Sequence, residues 1–80
     1  MSNILQLVGE RIRALRIERG LSQEQLALKA ELNTSFIGQI ERGLKSPTIT
    51  SLEKLVNALD IKLRTFLVLI HLLRLKILLL

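Results

Sequence analysis

Apolar residues recur at intervals of three and four along much of the chain, which is the spacing of one face of an α-helix. The tetrapeptide IERG follows the first such stripe at positions 17–20 and recurs at 40–43. In each copy the arginine suits the negative end of a helix dipole, and the glycine can adopt the left-handed conformation that ends a helix. Both copies therefore predict helix ends. The first stripe comprises Leu5, Val8, Ile12 and Leu15.

Two short helices are predicted between these two glycines. Ser22 and Gln25 have the spacing of a capping box, in which each side chain satisfies a free backbone amide of the other residue. Helix 2 is therefore expected over about 22–30. Asn33 is a favourable N-cap, and helix 3 is expected over about 33–42. The predicted buried sides are formed by Leu26, Ala27 and Ala30 in helix 2, and by Phe36, Ile37 and Ile40 in helix 3.

A fourth helix is predicted after a loop around Pro47, because proline disfavours helical geometry at the residue before it. Thr50 and Glu53 match a second capping box, which places the start of helix 4 near Thr50. Lys62, the corresponding residue before helix 5, is a poor N-cap, so helix 5 is expected to begin loosely or elsewhere. The predicted core face of helix 4 comprises Leu52, Leu55, Val56 and Leu59.

The segment from residue 66 to the end, FLVLIHLLRLKILLL, is almost entirely apolar. Its longest uninterrupted apolar run from Phe66 is five residues, which is too short for a membrane span. Helical geometry is favoured, but LRLKI alternates with period two and leaves a terminal strand open as an alternative. A helix this apolar should pack on the core and on a second chain. Residues 67–80 are therefore predicted to form a dimerisation element, with contacts at Phe66, Leu67, Ile70 and Leu73.

Composition narrows the classes of function. The net charge of +5 favours an anionic partner. With no cysteine and only one histidine, His71, neither a disulfide framework nor a zinc site is expected. Ser22, His71 and Asp60 fall on separate elements without paired carboxylates, which argues against an enzyme. No cofactor or small-molecule ligand is indicated. The N-terminus lacks the features of a signal peptide, so a cytoplasmic location is expected and membrane association is not.

Residues 23–43, QEQLALKAELNTSFIGQIERG, resemble the Cro/C1 (lambda and 434 repressor, XRE) family of bacterial and phage regulators. The resemblance extends from about Val8 through Phe66. It implies an all-α, five-helix, lambda-repressor-like DNA-binding domain over residues 1–66, followed by a hydrophobic extension of helix 5. Glu31 departs from the pattern, since the family has glycine in this turn, and it is expected either to adopt a positive φ or to shift the turn geometry. The matching positions are Arg16, Gln23, Leu26, Ala27, Ala30, Ile37, Ile40, Glu41, Gly43 and Pro47.

The base-reading residues are predicted by elimination. If the apolar residues of helix 3 point inward, helical geometry turns four of its other residues outward. Gln39 can form a bidentate contact with adenine, and small or hydroxylated side chains allow close approach and contact to base or phosphate. The four predicted base readers are Thr34, Ser35, Gly38 and Gln39.

Further roles are implied by the resemblance or suggested by charge. Gln23 resembles the glutamine that touches phosphate at the start of helix 2 in the family. Asn33 is predicted to divide its role between capping and phosphate, and Arg42, Lys45 and Arg11 are further phosphate candidates. The resemblance implies a partly buried ion pair between Arg16 and Glu41.

The leading functional interpretation is a transcriptional regulator, similar to phage repressors or restriction-modification controllers, that binds an inverted-repeat operator in double-stranded DNA as a homodimer. RNA polymerase is a further candidate partner. The alternative is an antitoxin whose hydrophobic C-terminus binds a toxin, and a membrane-tethered regulator ranks third.

Overall fold

The computed structural model describes residues 3–79, and these residues form five α-helices and no strand. The all-α, five-helix prediction is confirmed. Helices 2 and 3 begin one residue after their predicted starts, because Ser22 and Asn33 are N-caps outside the helices. The predicted DNA-binding domain (1–66) and the predicted dimerisation element (67–80) include residues 1, 2 and 80, which lie outside the described residues. The helices are α1 (Ile4–Glu18), α2 (Gln23–Ala30), α3 (Thr34–Glu41), α4 (Ile49–Ala58) and α5 (Leu63–Leu78).

The starts of α2 and α3 follow from local side-chain hydrogen bonds. The backbone N–H of Gln25 donates to Ser22 Oγ at 3.0 Å, and the backbone N–H of Ser22 donates to Gln25 Oε1 at 2.8 Å. This is the predicted capping box. At α3, Asn33 Oδ1 accepts from the backbone N–H of Ser35 at 2.8 Å. Each bond satisfies an amide that would otherwise lack a partner in the first helical turn.

The predicted capping box at Thr50 and Glu53 is wrong. The N-cap of α4 is Thr48, whose Oγ1 accepts from the backbone N–H of Ser51 at 3.0 Å. Because the helix begins two residues earlier than expected, the backbone N–H of Leu52 can donate to the Thr48 carbonyl at 2.9 Å. Two threonines with suitable spacing were available, and the earlier one gains this additional helical hydrogen bond.

The helix ends require left-handed residues, as the repeated tetrapeptide predicted. Gly20 and Gly43 have φ values of 69° and 72°. Glu31 also adopts a positive φ, of 57°, in the turn between α2 and α3, which is the first of the two alternatives that its departure from the family pattern left open. Asp60 does the same after α4, at 61°, and this was not predicted. A non-glycine residue in this region costs about 1 kcal/mol, so the surrounding packing must hold both turns in place.

The core lies where all five helices meet, and it is apolar except for Glu41. Helix α5 runs to Leu78, so the alternative of a terminal strand is wrong. Lys62 gives no side-chain cap to α5, in agreement with its poor capping chemistry, yet the helix begins directly after it. The largest fully buried side chains are Phe66, Ile12, Leu26, Ile37, Ile40, Leu55, Leu59 and Val56.

Two of the predicted dimer contacts belong instead to the core of the single chain. Phe66 is 0% exposed and Ile70 is 4% exposed, so neither side chain can reach a second chain. Leu73 is half-buried, and Leu67 is exposed. The correction arises because α1 and α4 cover one side of α5 within the same chain. No helix within residues 3–79 has the length and hydrophobicity needed to cross a membrane.

Candidate nucleic-acid interface

A shallow polar groove runs along the exposed side of α3 and the start of α2. Thr34 and Ser35 are exposed in it, and Gln39 is half-buried. The groove brings together all four predicted base readers and two of the five predicted phosphate contacts, which are Gln23 and Arg42. We call it the recognition groove. It is lined by Gln23, Thr34, Ser35, Gly38, Gln39 and Arg42.

Gly38 differs from expectation because it is buried, although it lines the groove. A Cβ built on this glycine would lie 3.7 Å from Gln23 Oε1 and 4.0 Å from Arg42 Nη1. The side chains of Gln23 and Arg42 therefore flank the glycine and cover its backbone. These distances are ordinary van der Waals contacts, so the protein itself has room for a methyl group at this position.

The remaining phosphate candidates occupy different surroundings. Asn33 is exposed and caps α3, while Lys45 is exposed in the loop that follows α3. Gln23 is half-buried, and its Nε2 donates to Glu41 Oε1 at 3.1 Å, a bond that the sequence did not predict. Arg11 does not line the recognition groove; it lies between α1 and α5.

The predicted ion pair between Arg16 and Glu41 is present behind the recognition groove. Arg16 Nε lies 2.7 Å from Glu41 Oε2, and Arg16 Nη2 lies 3.0 Å from Oε1. Arg16 Nη1 also donates to the Leu21 carbonyl at 2.9 Å. The two side chains are 12% and 2% exposed. Because Gln23 also binds this carboxylate, one buried group joins α1, the start of α2 and the end of α3.

The hydrogen bond that Arg16 donates to Glu41, together with the negative charge of that carboxylate, raises the pKa of Arg16 above its ordinary value, against the lowering effect of burial. A raised pKa means that the arginine stabilises the fold at every pH below its unfolded-state pKa, and that this stabilisation is lost only as the pH rises through the folded value. Arginine is already cationic across the pH range in which proteins are handled. The arginine of the bidentate pair therefore keeps its charge throughout that range.

Gly9 is a positioning residue that sequence reasoning missed. It is buried where α1 crosses the end of α3. A Cβ on this glycine would overlap the Ile40 carbonyl oxygen and lie 2.9 Å from the Glu41 carbonyl oxygen. The available signal was a glycine directly after Val8 on the apolar side of a predicted helix, where glycine lowers helix stability.

A helix-turn-helix family model matches residues 12–66 of the chain, which includes both helices of the recognition groove and the buried ion pair. The chain belongs to the Cro/C1-type helix-turn-helix family. The matched segment ends at Phe66, so the family model does not include the remainder of α5.

Relatives of this Cro/C1-type chain are named as repressors and control proteins. It is 47% identical over 55 residues to the immunity repressor protein of Bacillus phage phi105, covering 69% of this chain and 38% of that repressor. It is 34% identical to the control protein C.BamHI of Bacillus amyloliquefaciens, covering 76% of each chain. The chain thus spans well under half the length of the phage repressor.

Solved structures of controller proteins are similar in fold. The restriction-modification controller protein C.AhdI from Aeromonas hydrophila is 42% identical, with a TM-score of 0.75 over 78% of this chain and 94% of that one. The controller protein C.Esp1396I, as a tetramer in complex with its natural 35 base-pair operator, is 34% identical, with a TM-score of 0.79 over 88% and 92% of the two chains.

Proposed function

We propose that this Cro/C1-type chain is a transcriptional regulator that binds specific sequences in double-stranded DNA. Support comes from the recognition groove, in which polar side chains of α3 face outward while the buried Arg16–Glu41 pair holds the helix from behind. An α-helix presented in this way fits the major groove of B-DNA. Relatives named as repressors and control proteins, and the operator complex of C.Esp1396I, support the same role. This role requires no catalysis.

The residues divide between reading bases and holding the backbone. Thr34, Ser35 and Gln39 are proposed to contact base edges, and Gln39 suits bidentate contact with adenine. Arg42, Lys45 and the amide of Gln23 are proposed to contact phosphates, with Asn33 dividing its role between capping and phosphate. Gln23 is already bound to Glu41, so any phosphate contact by its amide would extend the buried network to the DNA. Arg11 is not among these proposed phosphate contacts, because it lines a groove between α1 and α5.

Binding to an inverted repeat requires two copies of the chain related by a two-fold axis. The dimer element is proposed to be the outer stripe of α5, comprising Val68, Leu72 and Leu75. These residues follow one another at intervals of four and three, and all are at least 41% exposed. Leu67 is 42% exposed and borders the stripe, so it remains a proposed dimer contact, as predicted from the sequence.

Selection of bound sites from a pool of random DNA duplexes tests this function. We expect an inverted repeat whose half-sites lie about one helical turn apart, roughly 10 base pairs from centre to centre. Gln39→Ala should relax the preference at one position of each half-site, whereas Lys29→Ala, an exposed change on α2 outside the groove, should leave the selected sequence unchanged. Recovery of unrelated sequences would exclude specific binding.

An antitoxin is the second candidate, favoured by the exposed leucines of α5. Size-exclusion chromatography with light scattering separates the two. A soluble homodimer of the chain alone supports the regulator, and a chain that precipitates until co-expressed with a partner supports the antitoxin. Exclusion of RNA polymerase from a promoter, or favourable contact with it, would follow from the position of the operator.

A further inference from the structure

A second groove, separate from the recognition groove, lies between α1 and the C-terminal half of α5. Its volume is about 370 Å³, near the lower end of the range in which proteins hold small ligands, roughly 300–1,000 Å³. We call it the α1/α5 groove. Apolar side chains from both helices form most of its surface, and three charged side chains complete it. It is lined by Leu7, Glu10, Arg11, Ala14, Leu73, Lys76 and Ile77.

Arg11 in this groove has an unusual environment. Its Nε is buried and has no hydrogen-bond partner among the described residues. More than about 90% of buried polar groups in proteins have a partner, because an unsatisfied donor loses its hydration without replacement, and the loss is greater for a charged group. An acceptor from outside the chain would therefore gain a hydrogen bond here once the half-buried Arg11 side chain turns to present this N–H.

The charges around the groove indicate the sign of that acceptor. Arg11 and Lys76 supply two cations, and Glu10 supplies one carboxylate. None of the three forms an ion pair within residues 3–79, where the ion pairs are Arg16–Glu41 and Arg19–Glu18. An anionic group with an apolar body matches both the excess positive charge and the apolar floor. A nucleic-acid backbone does not, because it carries no apolar surface to cover Leu73 and Ile77.

We propose that the α1/α5 groove binds a small amphipathic carboxylate, with a medium-length acyl chain as the chemical class. The carboxylate would accept hydrogen bonds from the Arg11 guanidinium, because a guanidinium can make two parallel bonds to such a group. The acyl chain would lie against Leu7, Leu73 and Ile77, removing apolar surface from water. No residue of the proposed DNA-binding surface is used.

Such a ligand would touch two helices with different tasks. Helix α1 holds α3 through Arg16 and Gly9, while α5 carries the proposed dimer stripe, whose residues do not line the groove. A ligand that fixes α5 against α1 would therefore change the dimer equilibrium and, through it, affinity for operator DNA. This regulatory consequence rests on the proposed function, whereas binding of the ligand does not.

Amide chemical-shift changes of the ¹⁵N-labelled full chain, without DNA, test the binding directly. The probe is decanoate, compared with decanol, which has the same chain without the charge, and with acetate, which has the charge without the chain. We expect decanoate to give saturable shifts at Leu7, Ala14, Leu73 and Ile77. Decanol should bind about tenfold more weakly, the loss typical of one hydrogen bond to a charged group. Acetate should give no saturable shift.

Three variants localise the site. Arg11→Gln should weaken decanoate binding about tenfold, whereas the matched change Arg13→Gln, at an exposed position of the same helix, should leave it within about twofold. Ala14→Leu leaves the charges unchanged and replaces one good helix former with another, but its larger side chain fills the groove. Saturable binding of decanoate should therefore be lost.

Three results would overturn the proposal: equal affinity for decanol and decanoate, shifts confined to Val68, Leu72 and Leu75, or an Arg11→Gln variant that binds decanoate like the original chain. Because DNA is absent from these measurements, they remain decisive even if operator binding is not found. Conversely, operator binding that ignores decanoate would remove only the regulatory consequence.

Discussion

The α2–α3 unit and helix α5 expose opposite kinds of surface, and they are held in place by different means. The recognition groove on α3 is polar outside, and it is cross-linked from behind by directional bonds among Arg16, Gln23 and Glu41. Helix α5 is apolar on its outer side and is held by packing of Phe66 and Ile70 into the core. A base-reading helix needs a fixed orientation, which hydrogen bonds supply. A helix that only presents leucines can tolerate looser placement.

The largest expected effect on stability is in the α2–α3 unit, where Arg16, Gln23 and Glu41 are joined by hydrogen bonds. Glu41→Gln should lower the free energy of unfolding by about 3–5 kcal/mol, because it leaves the Arg16 guanidinium partly buried without its counter-charge. For a domain of this size, that corresponds to a fall in Tm of well over 10 °C. Thermal denaturation followed by circular dichroism measures it. Glu53→Gln, an exposed change on α4, is the control, and an equal Tm for both variants would remove the structural role of the pair.

A smaller loss is expected where α1 crosses α3. Gly9→Ala should lower the free energy of unfolding by about 1–3 kcal/mol, because its Cβ would overlap the backbone of α3 and force the two helices apart. Arg13→Ala, at an exposed position of the same helix, controls for the effect of alanine itself. Urea denaturation compares the two. A Gly9→Ala variant as stable as the original would show that the crossing can widen without cost.

The change in stability should have the opposite sign at Gly38, the other glycine within a helix. Gly38→Ala should raise the free energy of unfolding by about 0.5–1 kcal/mol, since alanine favours the helix and its Cβ would meet no atom closer than 3.7 Å. The same methyl group would stand between Gln23 and Arg42 in the recognition groove. Operator affinity, measured by fluorescence anisotropy, should therefore fall while stability rises. If both quantities rise together, the groove does not approach DNA at Gly38.

The smallest effect on the stability of a single chain is expected on the outer stripe of α5. Leu72→Ser should change the free energy of unfolding by no more than about 0.5 kcal/mol at concentrations where the chain is monomeric, because the side chain is 56% exposed. The variant should nevertheless weaken self-association in analytical ultracentrifugation. Leu28→Ser on α2, 81% exposed, is the matched control. Equal association by both variants would move the dimer surface away from α5.

The dependence of DNA affinity on salt concentration tests the proposed phosphate contacts of the recognition groove. Arg42→Gln should reduce the slope of log affinity against log salt concentration by about one, through the loss of one phosphate contact. Lys54→Gln on α4 should leave the slope unchanged. A slope that is flat for the original chain would argue against phosphate contacts altogether.

The sequence alone determined the features that depend on residues close together in the chain. Apolar spacing gave the helices, Ser22 with Gln25 gave the start of α2, and the glycines of the repeated tetrapeptide gave two helix ends. The four candidate base readers followed from the same periodicity. Even the one failed helix start, at Thr50, was a choice between two local caps.

Only the tertiary structure decided what depends on distant residues. It placed Phe66 and Ile70 in the core, brought Gln23 to Glu41, pressed Gly9 against α3 and placed Arg11 in the α1/α5 groove. Periodicity shows which side of a helix is apolar, but the amount of that side covered by the same chain depends on how the helices pack. The burial of a charge or a leucine is therefore settled only when all the helices are in place.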